Sequence, residues 1–91
     1  MSTINLYVNH HNPITNYNSN ELIRACRLSP MVQNNDFQTF VVEQDETDTD
    51  YQMLLEHGFT FEDLPILLID DTFYNFEKAM HLLVNVNYNL I

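Results

Sequence analysis

Apolar and polar residues alternate along Thr3-Ile4-Asn5-Leu6-Tyr7-Val8, and the stretch is rich in β-formers, so it predicts a first strand. Residues 9–20 are mostly Asn and His with Pro13 among them, a pattern that suits a loop feeding a helix. Ser19 or Asn20 caps the helix expected over 18–28, where Leu22, Ile23, Cys26 and Leu28 share one face and Arg24 and Arg27 lie outside. Ser29-Pro30 and Asn34-Asn35-Asp36 are turn signals that isolate a second strand over 37–42. Glu43, Asp45, Glu46, Asp48 and Asp50 then crowd the head of a second helix, where carboxylates are favoured by the macrodipole. That helix is expected from Thr47 or Asp48 to His57, stopped by Gly58 at the C′ position.

After a connector over 59–63, the unbroken apolar run 65–69 predicts a strand covered on both faces, and Asp70-Asp71 turns it back into Thr72-Phe73-Tyr74. Phe76, Ala79, Met80 and Leu83 form one stripe of a last helix over 75–84, followed by an Asn-rich, loosely held tail at 85–91. The element order is β-α-β-α-β-β-α.

Composition narrows the function. Ninety-one residues of 10.8 kDa suit one domain spanning 1–91, and 45% hydrophobic with 12% aromatic residues argues for a folded chain. A net charge of −10 repels phosphate backbones and anionic lipid surfaces, which argues against nucleic-acid and membrane partners. A single cysteine permits no internal disulfide, and the Met1-Ser2-Thr3 start has neither a basic nor an apolar leader region. With no apolar run of bilayer-spanning length, the expected location is the cytoplasm.

The segment His57-Gly58-Phe59, a short loop, then Leu64-Pro65-Ile66-Leu67-Leu68-Ile69-Asp70-Asp71 resembles the glutaredoxin stretch in which a helix ends at glycine and the chain crosses to a cis-proline before a buried strand. Phe73-Tyr74-Asn75-Phe76-Glu77-Lys78-Ala79-Met80 is similar to that family's last strand and the start of its last helix. The resemblance extends to the first strand. It implies a thioredoxin-like, glutaredoxin-type three-layer sandwich around a four-stranded mixed sheet, closest to the glutaredoxins and the glutaredoxin-like hydrogen donors of ribonucleotide reductase.

The departure from the family is chemical. Members carry Cys-x-x-Cys at the head of the first helix, where the dipole lowers the thiol pKa and the thiolate attacks disulfides. Counting that spacing from Tyr7 reaches Asn12-Pro13-Ile14-Thr15, in which both cysteines are replaced. Cys26 lies on the apolar face of its helix and reads as a small buried hydrophobe. His10, His11, His57 and His81 lack ligand spacing and read as solvated residues, with His57 complementing a helix C-terminus, so no metal or other cofactor is expected. The resemblance implies that the backbone before the proline, at Leu64-Pro65, offers a ligand groove. Glutathione is disfavoured there because Arg24, Arg27 and Lys78 are the whole cationic supply.

Ten of the thirteen carboxylates fall between Glu43 and Asp71. Asp45, Glu46, Asp48 and Asp50 are the candidate docking surface for a basic protein partner, against the plainer reading of a solvated face. The functional expectation is a redox-inactive, glutaredoxin-like binding or regulatory protein. Twelve asparagines in a short chain suit an AT-rich bacterial or phage genome. A thiol oxidoreductase or hydrogen donor working through Cys26, and a structural subunit of a larger assembly, stay open as alternatives.

Overall fold

The computed structural model describes residues 2–89, with side chains to residue 84. Strand β1 (Thr3–Val8) is followed by helix α1 (Pro13–Leu28), a single helical turn α2 (Pro30–Gln33) and strand β2 (Asp36–Val41). Helix α3 (Thr49–Glu56), a 3₁₀ turn at Phe61–Asp63, the hairpin β3 (Ile66–Ile69) and β4 (Thr72–Tyr74), and helix α4 (Phe76–Asn89) complete the order. The result is an α/β protein with four α-helical segments and a four-stranded mixed sheet.

The strands lie in the order β2-β1-β3-β4. β1 runs parallel to β2, with Thr3 opposite Asp36, and antiparallel to β3, with Leu6 opposite Leu67; β4 returns antiparallel to β3. Alternation along β1 serves two cores. Ile4, Leu6 and Val8 join Leu22 and Cys26 of α1, Val32 of α2, Leu67, and Ala79 and Leu83 of α4. Tyr7 faces the other way, into a core of Val42, Leu54 of α3, Phe61, Leu64 and Ile66. Helices therefore cover both faces, and Ile66 and Leu67 of the continuous apolar run are fully buried on opposite sides.

Several boundaries differ from the expected ones. α1 begins at Pro13 and not at 18, because Asn12 caps it and Pro13 occupies the first helical position, where a missing N–H costs nothing. Ser19 is no cap but a buried mid-helix residue. The Ser29-Pro30 turn is a helical turn in its own right, since the Val32 N–H donates to Ser29 Oγ (3.4 Å). At the other end, α3 is capped by Asp48 and stopped by Gly58, whose φ of +86° lies in the left-handed region. α4 runs on to Asn89, past the expected end at 84, in a stretch with neither Gly nor Pro to stop it. Of the tail expected at 85–91, residues 85–89 therefore belong to this helix, and 90 and 91 lie outside the described residues.

The Leu64–Pro65 peptide bond is cis, as expected. Among the described residues no helix is long and apolar enough to cross a membrane.

Candidate functional site

Three connections meet at the carboxyl ends of the parallel strands β1 and β2: the turn from Asn9 into α1, the acidic loop after β2, and the 3₁₀ turn leading to the cis bond. Crevices beyond the carboxyl ends of parallel strands are the usual ligand sites of open α/β sheets.

Asn12 holds the centre of this end. Its backbone is extended (φ −138°, ψ 165°) and its Oδ1 accepts the Thr15 N–H at 2.8 Å, the hydrogen bond of a helix N-cap. Asn12, Pro13, Ile14 and Thr15 together with Glu62 line an open cleft of about 400 Å³. Thr15 is buried, whereas Ile14 projects into solvent with 74% of its surface exposed and Tyr17, one turn on, is 62% exposed.

The support beneath the cleft comes from residues whose role was not legible in the sequence. Asn9 is buried, and its Nδ2–H donates to the Val42 carbonyl at 2.6 Å, tying the end of β1 to the end of β2. That bond fixes the amide orientation, so Oδ1 accepts both the His11 N–H and His11 Nδ1–H, each at 2.7 Å. Nε2 of His11 is then left to accept Asn12 Nδ2–H at 2.9 Å, with Glu62 Oε1 3.6 Å away. The imidazole also lies against Phe61, ring centres 4.6 Å apart. Ser19 Oγ donates to the Asn9 carbonyl at 2.9 Å, anchoring α1 to the same point. His11 is exposed on the connection before α1, as a solvated loop histidine would be, and its ring also bridges the helix cap to the 3₁₀ turn. The signal available was Asn12-Pro13, a good cap followed by a good first residue.

Leu64 and Pro65 are buried just beyond that turn. Of the cations, Arg24 lies along the outer side of α1 beside Tyr17 and Glu21, Arg27 is in its last turn, and Lys78 flanks a separate depression with Tyr74 and His81. None lines the Asn12–Thr15 cleft.

The acidic run divides into two kinds of carboxylate. Asp48 Oδ1 accepts the N–H groups of Asp50 (2.9 Å) and Tyr51 (3.1 Å), and its Oδ2 accepts that of Glu43 (2.9 Å), so this side chain builds the loop as well as the cap. Asp45 Oδ1 accepts the Thr47 N–H at 2.9 Å, and that bond holds its carboxyl below the usual range. Asp50 moves the other way, raised by partial burial and then by the charge of Asp48. Glu46 is exposed.

Cys26 is fully buried in the α1–α4 core, and burial pushes its thiol up to about 12. His10 Nδ1 is 2.8 Å from Asn16 Oδ1, and His57 Nδ1–H donates to the Met53 carbonyl at 2.9 Å. Among the described residues no group of three or more His, Cys, Asp or Glu side chains is placed to hold a metal ion.

Compared with protein-family models, with curated proteins and with solved structures, the chain finds no match.

Proposed function

We propose that this protein is a redox-inactive binding module of thioredoxin-like, glutaredoxin-type architecture that acts by holding a protein partner. The single observation that carries this reading is the head of α1. Asn12 Oδ1 occupies the helix N-terminus and takes the Thr15 N–H, at the positions where the resemblance calls for two thiols. An amide that caps its own helix neither attacks a disulfide nor leaves one. The strand order β2-β1-β3-β4, the helices on both faces and the proline at the head of β3 support the architecture. Burial of Cys26 removes the other thiol from reach.

The contact surface on this reading is the exposed Ile14 at the cleft with the exposed Tyr17 one turn further along α1, and the neighbouring acidic loop steers a basic partner toward it. Large apolar and aromatic side chains standing out from a polar rim are the usual anchors of protein interfaces. Glu62 beside the cleft, with no cation lining it, argues against glutathione as the occupant.

Three experiments test the proposal. In assays of disulfide reduction and glutathione transfer, the wild type is expected to match a Cys26→Ala control; activity above that control would overturn it. Placing cysteines at both positions, Asn12→Cys with Thr15→Cys, is expected to give a disulfide on mild oxidation, because the two residues flank one helical turn as the family motif does. A partner captured by the wild type is expected to be lost with Ile14→Asp; capture that survives both Ile14→Asp and Tyr17→Asp would move the contact elsewhere.

A further inference from the structure

β2 is an edge strand, and its backbone shows which groups it leaves open. The Asp36 N–H donates to the Ser2 carbonyl (3.2 Å) and the Val42 N–H to the Val8 carbonyl (2.8 Å), so in this parallel ladder the even-numbered residues point their polar groups at β1. The N–H and C=O groups of Phe37, Thr39 and Val41 therefore point outward.

The open edge is bounded at both ends. Asn35 N–H donates to the Val32 carbonyl, and its side chain accepts from Ser2 N–H and donates to the Met31 carbonyl. Glu43 N–H donates to Asp48 Oδ2, while its carbonyl accepts from Asp45 N–H. What lies between is Asp36-Phe37-Gln38-Thr39-Phe40-Val41-Val42, with no proline or glycine to discourage pairing and its one charge, Asp36, at the very end. Val41 is 55% exposed.

We infer that the β2 edge pairs antiparallel with the β2 edge of a second copy of this chain, about a two-fold axis through Thr39. Only a register that keeps each face of the sheet continuous is compatible with that symmetry, and centring it on Thr39 sets outward-pointing residues against one another. Phe37 then faces Val41 of the other copy, an apolar pair, and Thr39 faces Thr39, a favourable cross-strand pair. Charge agrees with a second copy as the occupant: Asp36 falls opposite Val42 and Glu43 opposite Asn35, so no like charges meet across the edge. The opposing term is long-range, since each copy carries −10, and it is screened by salt. The dimer is accordingly expected to be weak and to tighten as ionic strength rises.

Sedimentation equilibrium of the full chain at low and at high salt reads this directly. A monomer–dimer equilibrium that strengthens with salt is expected. Thr39→Pro removes an outward N–H that β1 does not use, so circular dichroism should be unchanged while dimerisation weakens roughly tenfold or more. Thr39→Cys places two sulfurs at the axis, at the spacing of a hydrogen-bonded pair, and is expected to oxidise to a covalent dimer much faster than Gln38→Cys, whose side chain sits off the axis. A wild type that stays monomeric at high salt overturns the inference and leaves the edge to an extended segment of another protein. Equal cross-linking rates for the two cysteine variants would overturn the register.

Discussion

Cys26 illustrates what burial does to a single side chain here. The folded chain keeps its thiol protonated up to about 12, against 9.0 for an unperturbed thiol, so the proton is held more tightly folded than unfolded. The stability this confers is whole below pH 9.0 and is lost as the pH climbs toward 12. Wild type should therefore lose more unfolding free energy than Cys26→Ala between about pH 8 and about pH 11, as read from urea titrations at each pH. The Ala variant starts lower because it leaves a cavity in the core; the informative quantity is the slope with pH. Asn12 is the second residue with a measurable share. Asn12→Ala removes the acceptor for Thr15 N–H and should destabilise the chain by about 1 kcal/mol, whereas Asn12→Asp keeps an acceptor and should cost little.

Among the elements, the ones most legible in the sequence are those defined by unambiguous punctuation. The run 66–69 is too apolar to be anything but buried, and Gly58 ends α3 because the chain must pass through φ +86° there. Apart from Gly58 itself and the two adjoining residues, no atom would lie within 4 Å of a Cβ at this position, so Gly58→Ala tests backbone conformation alone and should cost about 1 kcal/mol in thermal or urea unfolding. The start of α1 is hidden because Asn16, Asn18 and Asn20 are poor helix formers, and the helix is sustained by tertiary burial of Thr15, Ser19, Leu22 and Cys26. The cleft's supports were hidden for a related reason: Asn9, His11 and Ser19 acquire meaning only when strand end and helix are brought together. Two members of the acidic run also turn out to serve the loop. Asp48→Ala should destabilise α3 by about 1 kcal/mol or more, while Glu46→Gln leaves unfolding unchanged and, if the loop steers a partner, slows association.

At the scale of the whole molecule, thirteen acidic and three basic residues make self-repulsion the main charge effect, so added salt should raise the melting temperature in a thermal scan. Sheet order has a consequence of a different kind. β1 is made first but lies in the middle, paired with β2 from Asp36 onward and with β3 only once Ile66–Ile69 exists. On the ribosome its apolar residues wait until Ile66–Ile69 has been made before their second neighbour arrives. Closing contacts so distant in sequence slow folding relative to a helical protein of equal size. They also mean that a cut in the acidic loop would separate β1 and β2 from β3 and β4 at a point of little packing, leaving each fragment with half of a sheet. Such fragments, disordered apart, should restore the fold on mixing, because β1 takes one neighbour from each.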